Sequence, residues 1–220
     1  MDNNLENKIK NMIHDTKAEQ INVRELYKGK FITLIEEDYK LPNGAVIQRE
    51  RITKNNGKQA VIIVSRTKDD KYLLVVQNRI NGIVSVEFPA GYIEENEDVI
   101  TAAKRELHEE TGYESDDMYL LDSYKTSLGI DGSTINIVVA NNCVKTSSQI
   151  LDDSEFINYD LFTLEEIGEL IESHYINGAG NRLAYFEMLS KENNKKESIN
   201  YWFFLFLLMF LFYTYIVAYL

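Results

Sequence analysis

Basic residues are scarce in this chain: 23 Lys+Arg stand against 35 Asp+Glu in 220 residues, a net charge of -12. That balance excludes a nucleic-acid binder that works by neutralising phosphates, and any anionic substrate needs a metal to approach. Cysteine is nearly absent, with Cys143 alone, so no internal disulfide forms and a reducing compartment, the cytoplasm, is expected. Residues 1 to 20 lack the apolar stretch of a secretory signal and read as a frayed helix or tail. No internal repeat is present. What the chain does have is 45% apolar and 11% aromatic residues, enough to bury the core of one domain with appendages.

The two ends differ from the middle. The last 20 residues, YWFFLFLLMFLFYTYIVAYL, carry no charge, Pro or Gly, and about 20 residues at about 1.5 Å each span a hydrocarbon core of about 30 Å. Tyr201 and Trp202 at one end and Tyr215 and Tyr219 near the other resemble an aromatic belt, and Lys191, Lys195 and Lys196 stand on the entry side. A membrane helix is expected there, with the globular part on the cytoplasmic side; a core helix or an aggregating tail is the alternative.

Between the ends, strand patterns come first. The runs from Phe31 to Ile35 and from Ala45 to Arg49 flank Leu41-Pro42-Asn43-Gly44, a hairpin signal. Apolar runs from Ala60 to Val64, Tyr72 to Val76 and Ile83 to Phe88 predict strands covered on both faces. Val99, Ile100, Ala103 and Leu107 then recur at helical spacing up to Thr111-Gly112, where the glycine ends the helix. Further strands are expected at Met118 to Leu121, Ile135 to Ala140 and Phe156 to Tyr159, and helices at Leu164 to His174 and Asn181 to Lys191. The class is α/β, with a mixed sheet sandwiched by helices. The divisions expected are a polar tail over 1–21, a hairpin extension over 22–56, the main domain over 57–192, a charged linker over 193–200 and the membrane helix over 201–220.

The chemistry concentrates at one helix. On it Glu106 and Glu110 are four residues apart and Glu109 is three from Glu106, so three carboxylates share one side of the last two turns. Such crowding is a solvated acidic face in most helices, but it also suits a hard divalent cation with open positions for water and phosphate. The surroundings favour the second reading. Arg105 can pair with Glu97 at the helix start and fix the loop from Gly91, and the strand end at Pro89-Ala90-Gly91 brings backbone carbonyls close.

These residues match the Nudix box, G-x5-E-x7-R-E-U-x-E-E-x-G-U with U bulky and apolar, at Gly91, Glu97, Arg105, Glu106, Leu107, Glu109, Glu110, Gly112 and Tyr113. The chain therefore resembles the Nudix hydrolases. That resemblance implies an α/β/α sandwich with a mixed sheet and hydrolysis of a nucleoside diphosphate linked to another group. It also implies Mg2+ or Mn2+ held chiefly by Glu106 and Glu110, with support from Glu109 and the Ala90 carbonyl, and an Arg105–Glu97 brace. Over roughly residues 22 to 190 it narrows to the ADP-ribose pyrophosphatase-like branch: Tyr27-Lys-Gly29 and Arg49-Glu50-Arg51 resemble that branch's added hairpin, Gln77-Asn78-Arg79 its Q-x-R strand end, and Val86 to Gly91 its E-L-P-A-G entry. The branch implies substrate contacts by Arg51, Arg79 and Glu87, and a homodimer in which the hairpin brings Arg51 to the partner's pocket. Where many members have S-P-G-x-S-x-E, this chain has Ser127-Leu-Gly-Ile-Asp-Gly-Ser-Thr-Ile135, without the Pro or the Glu, a departure that bears on ADP-ribose preference.

A general base is still required. In related enzymes it comes from an acidic loop after the box, which fits Glu155 or Asp153 in Leu151 to Phe156; Glu109 competes for the role, and a solvated loop is the plain alternative. His108 is read as a bystander. Two other functions remain open: a non-catalytic Nudix-fold module that senses a nucleotide, which has no need of an intact acid cluster, and an enzyme that removes nucleoside triphosphates, which the hairpin disfavours.

Overall fold

The computed structural model describes residues 3–13, 16–54, 57–79, 82–152 and 155–191. They form two compact units, one of residues up to 60 with 92–96 and 123–135, the other of 61–91, 97–122 and the residues from 136 onward.

The first unit begins with α1 (Asn3–Ile13) and a strand meander, β1 (Glu19–Lys28), β2 (Ile32–Lys40) and β3 (Val46–Lys54). The hairpin expected at Leu41 to Gly44 joins β2 to β3. Gly44 takes φ 84°, its N–H donates to Leu41 O at 2.9 Å, and the strands pair antiparallel from Lys40 with Val46 to Ile32 with Lys54. The sequence reading places no strand at β1, which nonetheless pairs with β2 from Glu19 opposite Lys40 to Lys28 opposite Thr33. Every residue of β1 is exposed, and its polar–apolar alternation is confined to Gln20-Ile-Asn-Val-Arg24. On the other side of the meander β3 meets the start of β10 (Asp131–Lys145) in parallel, Ile52 opposite Asp131, which makes the pairing mixed.

The second unit is built on the order β10, β4 (Ala60–Thr67), β5 (Tyr72–Asn78), β11 (Ile157–Phe162). β5 runs antiparallel to β4, to β11 and to β6 (Val84–Glu87). Val61 to Val64, Leu73 to Val75 and Ile137 to Ala140 are buried without a break. Successive strand residues face opposite sides, so layers cover both faces, as the near-continuous apolar runs predict. Short β7 (Ala90–Tyr92) and β8 (Tyr113–Glu114) flank helix α2 (Val99–Thr111), which packs against β5, β8 and β11; β9 (Asp117–Ser127) pairs with β10. Helix α3 (Leu164–Glu172) starts on a reciprocal cap between Thr163 and Glu166. A last described helix, α4 (179–191), buries Ala184 and Met188 and donates from Arg182 Nη2 to Ile171 O at 2.9 Å. Asn181 on α4 accepts the Phe88 N–H at 2.8 Å within the core, which ties the helix to the strand end that leads into Ala90-Gly91.

Among the described residues no helix is long and apolar enough to cross a membrane. The expected linker over 193–200 and membrane helix over 201–220 lie outside the described residues.

Candidate active site

Helix α2 carries the acids because both its ends are secured. Asp98 caps the start, its Oδ1 accepting from Ile100 N at 2.9 Å and Thr101 N at 3.1 Å, and Ala102, Ala103 and Leu107 bury the inner face. Gly112 closes it in the left-handed conformation, φ 70°, with its N–H donating to His108 O at 2.7 Å. A side chain there is barred twice, since a Cβ would lie 2.2 Å from Ser147 O.

The acids and the arginine form one network. Arg105 Nε and Nη2 donate to Glu97 at 3.0 and 2.9 Å, while Nη1 donates to Glu106 at 2.7 Å and Glu109 at 3.0 Å. One guanidinium thus serves three carboxylates, and its own pKa is raised, chiefly by the Glu97 bonds. Gly91 lies directly against Glu106: a Cβ at that position would sit 2.0 Å from the carboxylate carbon, so only glycine lets the strand-end loop approach. Glu106 is raised above the ordinary carboxylate value, first by burial and then by Glu109 and Glu155, with Arg105 opposing.

Glu110 is the most perturbed of them. It is buried, its Oε2 accepts the Ala90 N–H at 2.9 Å, and burial pushes its pKa up to about 8, with Glu106, Glu155 and Glu87 adding to the rise and the Ala90 N–H opposing. The contact seen at Ala90 is through its amide nitrogen. Glu87, also buried, is held below the ordinary value despite burial because Arg79 bonds it through both Nε, at 2.8 Å, and Nη2. Glu155 is exposed and accepts the Asp152 N–H at 3.2 Å; its charge reaches Glu106 and Glu110. Asp153 lies outside the described residues. In the first unit Arg51 is bound by Glu37, Nη2 to Oε1 at 2.9 Å, and Glu37 also takes Gln20 Nε2 at 2.9 Å and the Tyr39 hydroxyl at 3.1 Å.

As these side chains stand, no three acids, histidines or cysteines among the described residues converge on a single ion position. Nη1 of Arg105 lies with Glu106 and Glu109 instead. The donor set still suits a divalent cation, because Glu110 is a deeply buried carboxylate beside Glu106, Glu155 and Glu87, with one neutral N–H donor and no cation bonded to it in the described contacts.

Reading the sequence alone passes over Glu37, Asn181, Lys145 and Gln149. Each has a partner 14 or more residues away in sequence (Arg51, Phe88, Thr111 and Glu110), which no local pattern announces.

Both faces of the sheet are covered, and a capped helix presents buried acids to a glycine at a strand end; this is the class of α/β hydrolases that cleave phosphoric anhydrides. Residues 56–180 match the family model described as the NUDIX domain, and the chain belongs to the Nudix hydrolase family. It is similar to the methanol dehydrogenase activator of Bacillus methanolicus, 37% identical over 71% of this chain and 84% of that one. It is also similar to the ADP-ribose pyrophosphatase of Bacillus subtilis (strain 168), 34% identical over 76% and 90% respectively. Among solved structures, that of an ADP compounds hydrolase superposes with a TM-score of 0.73 at 27% identity, covering 81% of this chain and 96% of that one.

Proposed function

We propose that this chain hydrolyses a nucleoside diphosphate joined to another group, with ADP-ribose or a related nucleoside diphosphate sugar as substrate and Mg2+, or Mn2+ in its place, as cofactor. The observation that carries this reading is Glu110, a buried carboxylate beside Glu106 with its pKa pushed up to about 8. The relatives named for ADP-ribose and ADP compounds support the substrate class.

Glu106 and Glu110 would hold the metal, aided by Glu109 and the Ala90 carbonyl. When bound, the metal neutralises the pyrophosphate, lowers the pKa of a water and stabilises the departing phosphate. Gly91 leaves the room that the Glu106 carboxylate occupies. Arg105 would orient Glu106 through its brace to Glu97. Glu155 receives the proton of the attacking water, with Asp153 or Glu109 as the competing base. Arg79, fixed by Glu87 and half exposed, binds a substrate phosphate, and Arg51 contacts the substrate of a second copy in the proposed homodimer.

The test is a hydrolysis screen of the full chain with ADP-ribose, sugar nucleotides, dinucleoside polyphosphates and nucleoside triphosphates, with and without Mg2+. Mg2+-dependent formation of AMP and ribose 5-phosphate from ADP-ribose is expected; failure with every substrate would overturn the reading. A second reading, activation of a dehydrogenase, is favoured by the name of the Bacillus methanolicus relative. Stimulation of a dehydrogenase that persists in a hydrolysis-dead variant would support it.

Two features of assembly belong to the proposal. The uncharged stretch over 201–220 anchors the chain in a membrane, with the hydrolase domain on the cytoplasmic side. Carbonate washing of membranes from cells expressing the full chain should leave it in the pellet. The chain also forms a homodimer through its first unit. Leu5, Ile9, Met12 and Ile13 on α1 and Ile21, Val23 and Tyr27 on β1 are exposed apolar residues that a second copy would cover. Light scattering of detergent-solubilised protein is expected to give twice the chain mass.

A further inference from the structure

The C-terminal end of α2 is closed by one short segment. An α-helix leaves its last carbonyls without intrahelical donors. Here His108 O accepts from Gly112 N at 2.7 Å, Glu109 O from Ile150 N at 2.9 Å, Glu110 O from Gln149 Nε2 at 2.6 Å, and Thr111 O from Lys145 Nζ at 3.0 Å. Gly112 O accepts in turn from Thr146 N at 2.9 Å and Ser147 N at 3.2 Å. Five consecutive carbonyls are met, four of them from residues 145–150, and the close approach to Ser147 is what requires glycine at position 112.

Gln149 differs from the other donors. Its Nε2 also donates to Ile157 O at 3.1 Å, and Ile157 opens β11, paired with Gln77 on β5. A single amide therefore joins the carbonyl of Glu110 to the far foot of the loop that holds Glu155, while Ile150 N, at the near foot, is bound to Glu109 O. Both feet of that loop rest on the turn that carries Glu109 and Glu110. Glu155 N donates to Asp152 O at 2.9 Å.

We infer that Gln149 is a positioning residue: its side-chain amide ties Ile157, two residues past Glu155, to the carbonyl of Glu110, so that base and acid cluster are built as one unit. The inference rests on the proposed reading of Glu155 as base and deepens it. A glutamine side chain serves because its NH2 has two hydrogens, one for each carbonyl, and is neutral beside three carboxylates. A lysine there would add a charge competing with the metal.

A double-mutant cycle tests this. Gln149→Met keeps the length and removes both donors; Gln149→Asn keeps the amide and withdraws it by one methylene, and serves if the methionine variant does not fold. Each is combined with Glu155→Gln, and kcat, KM and the Mg2+ dependence of rate are measured with the best substrate of the screen. A shift of a reacting group by about 1 Å costs on the order of a hundredfold in rate. The expected result is a fall in kcat of about ten- to a hundredfold for Gln149→Met, KM and Mg2+ dependence within about twofold, and no further fall once Glu155 is already glutamine. An equal loss in both backgrounds would mean that Gln149 only holds the fold together and would overturn the inference, as would wild-type kcat in both Gln149 variants. Failure of the underlying reading shows elsewhere: Glu155→Gln alone would then keep wild-type kcat.

Discussion

The buried acids of the first unit and the α2 acids of the second behave in opposite ways. In the first, Glu37 and Asp131 are 4% and 3% exposed, yet both are held below the ordinary carboxylate value. Arg51 binds Glu37; Lys54, at 2.7 Å, and Ser133 bind Asp131. In the second unit Glu110 is 4% exposed and rises to about 8, and Glu106 rises with it. Solvent exposure does not distinguish the two sets. Glu37 and Asp131 lie under a shallow cover of side chains, each with a cation and neutral donors in hand. Glu110 lies deep with one amide donor and three acidic neighbours. The first set stabilises the sheet; in the second, Glu106 shares Arg105 with Glu97 and Glu109, and Glu110 has no cation bonded to it in the described contacts.

The sharpest way to break the comparison is to neutralise the second set. Glu110→Gln and Glu106→Gln should each lower Mg2+-dependent turnover by about a thousandfold, the loss expected when several kcal/mol of metal-borne stabilisation is removed. Thermal melts of the metal-free variants should show no loss of stability and a gain for Glu110→Gln. Turnover near wild type in either would remove that residue from the ligand set.

Next in size is the base. Glu155→Gln should lower kcat by about a hundredfold while the Mg2+ concentration for half-maximal rate stays unchanged, and Asp153→Asn should have a milder effect. Unchanged kinetics in both would move the role to Glu109.

Neutralising the first set should have the reverse signature. Asp131→Asn leaves Lys54 without its anion and should destabilise by about 1 kcal/mol, because Lys54 is partly exposed and solvent screens it; kcat should stay within about twofold. Chemical denaturation and steady-state kinetics of one preparation measure both.

The smallest effect is on pH. Between the ordinary carboxylate range and about 8 the unfolded chain has released the Glu110 proton that the folded chain retains, so this residue's contribution makes metal-free protein less stable as pH rises through that window. Glu37 and Asp131, with lowered values, contribute stability that is lost as pH falls through the acid range. Melting of chelator-treated protein from pH ~5 to ~9 should show a downward slope that Glu110→Gln flattens, and Mg2+ affinity should rise over the same window as the proton is displaced. An unchanged slope in the variant would mean that Glu110 is already ionised.

The legible part of the molecule is the part governed by local spacing. The α2 acids, the Arg105–Glu97 register and the two box glycines can be placed from sequence because helix periodicity and backbone sterics act within a few residues. Leu41-Pro42-Asn43-Gly44 announces its hairpin for the same reason. β1 stays hidden because it is exposed along its whole length and alternates only over Gln20-Ile-Asn-Val-Arg24, and Glu37 and Gln149 because their partners are brought by tertiary pairing. That Arg105 bonds Glu106 and Glu109 as well as Glu97 also follows from the folded rotamer alone, and it changes the arginine from a brace into an occupant of the acid cluster.

β1 also has a bearing on how copies of this protein can meet. It ends the order of strands in its unit, so its outer edge presents backbone donors and acceptors to any other extended chain. Its register with β2 slips twice, between Gln20 and Asn22 and between Glu25 and Tyr27, and Glu19, Arg24, Glu25 and Lys28 place charge along it. Each slip twists the ribbon away from the flat ladder that fibrils propagate, and each charge taxes an incoming strand. The edge is therefore poorly suited to open-ended stacking, while its apolar residues remain available to a partner that stops at one.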